Sequence, residues 1–246
     1  VPTFPFTRLA AVPYAPLLVT QARRLRRDTP RLPDAALPWT GSRPGPDPLR
    51  ILVLGDSTAA GVGAETQSEA LPGWIAHEVA ERWGRGSTWR AIGENGATAR
   101  DVRERFLTDA AAVPFDLALL TIGANDALGL RSRNAFTNDV RRIVLALRAA
   151  APQAAVLVSL MPRFDRFALL PEPLRATLAR HAASLDTGAR LAVEGLDGVV
   201  AIPTPPPYVE GFFASDEFHP SALGYRLWAR FVFDSAPGLR LDRPVG

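Results

Sequence analysis

Residues 51–63, ILVLGDSTAAGVG, set four apolar side chains in a row and end them at once on Gly55-Asp56-Ser57. A run of that length without polar alternation is the pattern of a strand buried on both faces. Its abrupt polar end has three readings: an ordinary strand end, a phosphate-cradling loop, or an edge that presents Ser57 to a substrate. The phosphate reading fails, because no Gly-Lys-Ser/Thr ending follows and the chain holds no lysine to reach a phosphate. Gly61-Val62-Gly63 begins a dinucleotide fingerprint, but Thr66 stands where its third glycine belongs.

Working outward, further apolar runs of strand length occur at Leu117–Ile122, Ala155–Leu160 and Val199–Ile202, with a weaker one at Trp89–Ile92. Helical spacing fills the gaps. Leu71, Trp74, Ile75, Val79 and Trp83 form one stripe, with Thr66–Glu69 as a capping box and Gly84 as a stop. Thr98 and Asp101 open a second helix through Val102, Phe106 and Ala110. Phe136 to Leu147 and Leu174 to Ala189 mark two more, and a fifth starts at Pro220 and carries Leu223, Leu227 and Phe231. Strands alternating with helices predict a parallel sheet covered on both faces, here one α/β domain of about five strands over residues 49–246.

Residues 1–48 read as a Pro/Arg-rich N-terminal arm. An apolar run over residues 9–20, broken by Pro13 and Pro16, is too short to span a bilayer. It precedes Arg23-Arg24-Leu25-Arg26-Arg27, the reverse of a signal peptide's order, and no initiating Met is present. Packing against the main domain is one expectation for this arm. Peripheral membrane contact is the other, and a cytoplasmic or membrane-peripheral location is favoured over secretion. The chain has 246 residues, 47% of them apolar, so a normal core can form without staples. Without cysteine there are no disulfides, thiol nucleophiles or sulfur-bound zinc. The high isoelectric point reflects the lack of lysine and the scarcity of tyrosine, since net charge is only +3; nucleic acid is not an expected partner.

In open parallel sheets ligands bind beyond the carboxyl ends of the strands. Those ends lead into Gly55-Asp56-Ser57, Glu94-Asn95-Gly96, Gly123-Ala124-Asn125-Asp126 and, past a loop, Asp216-Glu217-Phe218-His219-Pro220. Any of these alone is ordinary turn chemistry. Together they hold a nucleophile (Ser57), a base (His219) and a carboxylate three residues earlier to orient it (Asp216). Donors for an oxyanion are also present: the backbone N–H groups of Ser57 and Gly96, and the Asn125 side chain. Asp56 and Asp126 read as loop-bracing carboxylates. Of the other histidines, His77 is expected to be solvated and His181 to sit at the core edge.

These four blocks, in this order and spacing, resemble the SGNH, or GDSL, hydrolases over about residues 49–235, with Thr58 where the family name has Leu. The resemblance implies a three-layer α/β/α flavodoxin-like fold, ester or thioester hydrolysis, no metal or organic cofactor, Ser57, His219 and Asp216 as the triad, and Ser57, Gly96 and Asn125 as the oxyanion hole. Two loops rich in large apolar residues suggest a hydrophobic acyl pocket built from Phe164, Phe167, Tyr208, Phe212 and Phe213. Arg131, Arg133, Arg163 and Arg166 are candidates to rim it and meet an anionic headgroup. A small-molecule acyl ester is the expected substrate. Two other readings stay open: a deacetylase or acyltransferase on a sugar or cell-envelope acceptor, and a non-catalytic binding domain recruited to membranes by the arm.

Overall fold

The computed structural model describes Thr7, residues 9–203, residues 208–239 and Leu241; most of the Pro203–Pro207 tract lies outside the described residues. In chain order the helices are α1 (Ala15–Asp28), α2 (Leu71–Trp83), α3 (Ala99–Asp101), α4 (Leu107–Ala112), α5 (Ala124–Leu128), α6 (Arg133–Ala150), α7 (Leu174–Val193) and α8 (Ala222–Asp234). The strands are β1 (Thr40–Arg43), β2 (Leu49–Gly55), β3 (Ser87–Gly93), β4 (Leu117–Thr121), β5 (Ala155–Ser159) and β6 (Val199–Ile202).

Every residue of β2 except Arg50 is buried, and all of β4 is. Strands like these need cover on both faces, and the chain supplies it. Ile51, Val53, Leu117 and Leu119 pack under α2 and α8, against Ile75, Val79, Tyr225 and Val232. Leu52, Leu54, Ala118 and Leu120 face the other way, toward Val102, Phe136, Val140, Ile143 and Leu185. The result is a sheet between two helical layers.

The sheet has six strands in the order β1-β3-β2-β4-β5-β6, which corrects the expected five. The sixth is β1, antiparallel to β3 at the edge. Its sequence, Thr-Gly-Ser-Arg, carries no apolar alternation because no residue in it is fully buried, so the period that reveals a strand is missing. The five parallel strands run second-first-third-fourth-fifth, a doubly wound order. The direction of winding reverses between β2 and β4, so the crevice beyond those two strands is where a ligand is expected.

Helix ends differ from expectation in three places. Thr66–Glu69 is a turn rather than a cap: Thr66 Oγ1 donates to Glu69 at 3.3 Å, and α2 starts at Leu71 with Ala70 as its N-cap. The Thr98–Asp101 capping box is present, but a π-helical stretch, Val102–Phe106, follows it and divides the helix. Ser221, not Pro220, opens α8, capping Gly224 N–H at 3.1 Å. Its buried stripe includes Tyr225, Trp228, Val232 and Phe233, and Leu223 is exposed.

The N-terminal stretch lies on the domain. Leu18 is buried, Leu25 packs on the α6–α7 side of the core, and Gln21 Nε2 donates to the Glu172 carbonyl at 2.7 Å. Further on, Ala35 N–H donates to the Ala60 carbonyl at 3.0 Å, tying this segment to the loop that follows Ser57.

Candidate active site

Gly55 closes β2 where the backbone passes closest to β4. A Cβ there would lie 2.0 Å from the Thr121 carbonyl oxygen, so the position tolerates no side chain. Asp56 N–H donates to that same carbonyl at 3.0 Å, carrying the strand pairing one residue past the end of β2. The loop then turns on itself: Thr58 N–H donates to Asp56 Oδ1 at 3.0 Å, and Val62 N–H to the Ser57 carbonyl at 3.0 Å. Gln67 clamps it through Nε2 to the Ala59 carbonyl (3.0 Å), and Tyr225 through its hydroxyl to the Val62 carbonyl (2.7 Å). Asp56 is fully enclosed, and burial lifts its carboxyl to about 6. Ser57 is 8% exposed and lines the cleft described below.

The second and third blocks are locked to each other. Asn125 Nδ2 donates to the Ala97 carbonyl at 3.0 Å, and Asp126 Oδ2 accepts from Ala99 N–H at 2.9 Å. Neighbouring residues at the start of α5 therefore hold both a carbonyl and an N–H of the loop that contains Gly96. Gly96 has φ +88, a left-handed conformation that favours glycine, and the space where its Cβ would stand is open. One amide hydrogen of Asn125 is used on Ala97, which leaves the second for another acceptor.

Asp126 in turn pairs with Arg131 at 2.9 Å; Arg131 also pairs with Asp139, which meets Arg103 at 2.6 Å. Burial holds the Asp126 carboxyl above its usual range, against the pull of Ala99 N–H and Arg131. This corrects the expectation for the arginines. Arg131 is committed to two buried carboxylates, and Arg163 and Arg166 both pair with Asp165. Arg133 packs its side chain against Gly188 of α7.

The last block sits on a hairpin. Ala214 N–H donates to the His219 carbonyl and Ser221 N–H to the Phe212 carbonyl, both at 2.8 Å. Within this hairpin Asp216 Oδ1 accepts from Phe218 N–H (3.0 Å) and His219 N–H (2.9 Å), while Oδ2 lies 2.6 Å from His219 Nδ1. Glu217 takes φ +54 to make the turn this tight. Burial alone would raise the Asp216 carboxyl, but the His219 ring and the two N–H groups outweigh it and hold it below the usual range. An ionised carboxylate only accepts, so Nδ1 carries a proton and Nε2 is the ring nitrogen that Asp216 leaves uncommitted.

Ser57 and His219 line one cleft, with a cavity volume of about 60 Å³. Its walls are largely apolar: Ile122, Leu160, Pro162, Phe167, Tyr208, Phe212, Phe213, Phe218 and Trp228. Of the five predicted pocket residues four are here, and Phe164 is not. It is fully buried and backs Phe167, ring centres 5.4 Å apart. Phe167 also meets Tyr208, Phe213 and Phe218 at 5.0–5.4 Å, so these rings form a single cluster. Tyr208 is fixed by accepting Arg163 N–H at 3.0 Å.

Phe218 was missing from the expected pocket. The available signal was a large apolar residue between two polar ones in the Asp216–His219 turn. Asp34, which nothing in the sequence placed near the site, lies close enough to feel both Glu94 and His219; burial and Glu94 raise its carboxyl while His219 lowers it. His181 is buried and bonds Thr7 through Nδ1 at 2.8 Å, whereas His77 is half-buried with its ring edge-on to Trp74 at 5.3 Å instead of free in solvent. Among the described residues no group of three or more His, Asp or Glu side chains is placed to hold a metal ion.

Residues 53–227 match the family described as GDSL-like Lipase/Acylhydrolase. The chain is 30% identical to a GDSL-like esterase of Mycobacterium tuberculosis over 81% of its own length, and the match spans 66% of the length of that relative. Among solved structures, a lipase from a goat rumen metagenome superimposes with a TM-score of 0.61 at 14% identity, covering 76% of this chain and 97% of the other. The Pseudoalteromonas esterase EstA, in a structure inhibited by monoethylphosphonate, gives 0.59 at 17% identity, covering 77% and 97%.

Proposed function

Because the chain belongs to the GDSL-like lipase/acylhydrolase family, we propose that it hydrolyses carboxylic esters through an acyl-enzyme on Ser57, with His219 as base and Asp216 as its orienting carboxylate. The observation that carries this reading is the 2.6 Å contact of Asp216 with His219 Nδ1, on a hairpin that lines the same cleft as Ser57. In the first step Ser57 Oγ attacks the ester carbonyl carbon while His219 Nε2 takes the hydroxyl proton. The carbonyl oxygen gains negative charge and is met by the N–H groups of Ser57 and Gly96 and by the uncommitted amide hydrogen of Asn125. Collapse of the intermediate breaks the bond to the alcohol oxygen, which leaves with the proton held on His219. Water, deprotonated by the same nitrogen, then attacks the acyl-serine and regenerates Ser57.

Asp56 and Asp126 have no part in proton transfer here. Each receives a backbone N–H and fixes the loop that carries an oxyanion donor: Asp56 the turn of Ser57, Asp126 the segment of Gly96. Ser57 follows β2 and Asn125 follows β4, the two strands between which the winding reverses, which supports the assignment independently of the motif. The ring cluster of Phe167, Tyr208, Phe213 and Phe218 is the acyl wall, and the narrow cavity favours short acyl groups.

Hydrolysis of p-nitrophenyl acetate, butyrate and octanoate by the native chain and by Ser57→Ala tests both parts. Turnover that vanishes in Ser57→Ala, with kcat/KM highest for acetate or butyrate, is the expected result. Equal turnover in the variant defeats the nucleophile assignment, and a maximum at octanoate defeats the short-chain pocket.

A further inference from the structure

The outer face of α1 and the turn before it have no role in the chemistry above, yet they concentrate two kinds of exposed residue. Val12, Tyr14, Leu17 and Val19 are 63%, 53%, 48% and 46% exposed, four of the ten large apolar side chains in the described chain that stand out in solvent. They fall within eight consecutive residues. Directly after them Arg23, Arg24, Arg26 and Arg27 are all exposed. The first 27 residues hold five arginines and no Asp or Glu at all. The first carboxylate, Asp28, meets Arg24 and Arg27 on a surface where such pairs are weak.

At 100° per residue, Leu18, Gln21 and Leu25 share one face of α1, and these are the residues that hold it to the domain. Val19, Arg23 and Arg27 lie toward the opposite face. The helix is therefore anchored by one side and displays a basic side that continues into an apolar tip.

We infer that this face docks the protein on an anionic lipid bilayer, with Val12, Tyr14, Leu17 and Val19 entering the headgroup boundary and the arginines pairing with lipid phosphates. Charge complementarity and the apolar tip both favour this occupant. Nucleic acid would satisfy the arginines but leave the four apolar side chains in water. The contact is peripheral, since no helix among the described residues is long and apolar enough to cross a membrane. It is also close to the catalytic hairpin: Gln21, Arg24, Leu25 and Asp28 of α1 line a cavity of about 520 Å³ together with Asp216 and Glu217. A docked arm thus brings the catalytic hairpin to the lipid surface.

Co-sedimentation of the full chain with vesicles tests this, using phosphatidylcholine alone and phosphatidylcholine mixed with phosphatidylglycerol. The expected result is binding to the anionic vesicles only, weakened by salt as screening demands. Replacing Arg23, Arg26 and Arg27 together by Gln should lower partitioning on the order of a hundredfold, taking each arginine's contribution near an anionic surface as independent. Leu17→Ser with Val19→Ser should weaken binding while leaving its salt dependence in place. These side chains lie outside the packed face of α1, so an unchanged circular dichroism spectrum and unchanged hydrolysis of a soluble ester confirm that each variant is folded. No binding to anionic vesicles, equal binding to neutral ones, or full binding by the three-Gln variant overturns the inference. So does tighter binding to duplex DNA than to anionic vesicles at the same salt.

Discussion

Asp216→Asn is the substitution for which the geometry makes the sharpest demand. Oδ1 of Asp216 accepts two backbone N–H groups, at 3.0 and 2.9 Å, and Oδ2 faces His219 Nδ1 at 2.6 Å. An asparagine has one oxygen. Placing it at the Oδ1 position keeps both backbone bonds, whereas turning the amide around would face two N–H donors with an NH₂ group. The oxygen therefore stays, and the NH₂ is directed at Nδ1. Nδ1 must then accept, so the proton moves to Nε2 and the ring loses the nitrogen that would serve as the proposed base. Loss of the correct tautomer in a Ser-His-Asp arrangement lowers kcat on the order of 10⁴-fold, equivalent to about 5 kcal/mol of transition-state stabilisation. The assay is steady-state hydrolysis of p-nitrophenyl acetate at neutral pH with kcat and KM resolved, and KM is expected to stay within a few-fold because the cleft is unchanged. Asp216→Ala is the informative companion. It removes the orienting carboxylate but does not impose the wrong tautomer, so its kcat should equal or exceed that of Asp216→Asn. An Asn variant within tenfold of the native rate, or an Ala variant far below the Asn variant, refutes the tautomer argument.

Other consequences follow from the same contacts. Gly55→Ala forces a Cβ to within 2.0 Å of the Thr121 carbonyl oxygen, and the β2–β4 pairing must shift to relieve it; a loss of about 3 kcal/mol in urea unfolding is expected, and a change under 1 kcal/mol would mean the strands part easily. Asp56, raised to about 6 by burial, binds its proton more tightly in the folded chain than in the unfolded one. Its contribution to stability is fully present below about pH 4 and is lost as pH rises through 6, a change of about 3 kcal/mol. Asp56→Asn should abolish that slope, so the native and variant stability–pH curves should diverge by about that amount over this range, and parallel curves would contradict it. Arg131→Met leaves Asp126 and Asp139 buried without their shared partner, so unfolding free energy should fall by about 3 kcal/mol; if Tm is unchanged, that network is not holding the Gly96 loop.

The parts of the fold that were legible are those where one period dominates. Residues 51–54, 117–120 and 155–158 are apolar throughout because both faces of the sheet are covered. β1 was not legible: Thr40–Arg43 joins the sheet by lateral pairing with β3, and backbone pairing leaves no trace in side-chain pattern. The start of α8 was missed because Pro220 is a good first helical residue, while the hairpin pairing of Phe213 with Pro220 is a long-range fact. In the site, Ser57 and His219, picked out by strand ends and spacing, line one cleft, and Asp216 contacts His219 Nδ1. The residues packed around them could not be picked out in this way. Arg131 looks like any surface arginine until Asp126 and Asp139 converge on it, and Phe164 looks like a pocket residue until Phe167 stands in front of it.

The central proposal is that Ser57 is the nucleophile at the reversal point of the sheet, and it is tested most directly by active-site labelling with an alkyl phosphonate ester followed by intact-mass and peptide analysis. The account predicts one adduct per chain, on the peptide containing Ser57, forming in step with loss of p-nitrophenyl acetate hydrolysis and absent from Ser57→Ala. An adduct on another residue, or the same adduct in Ser57→Ala, would contradict it.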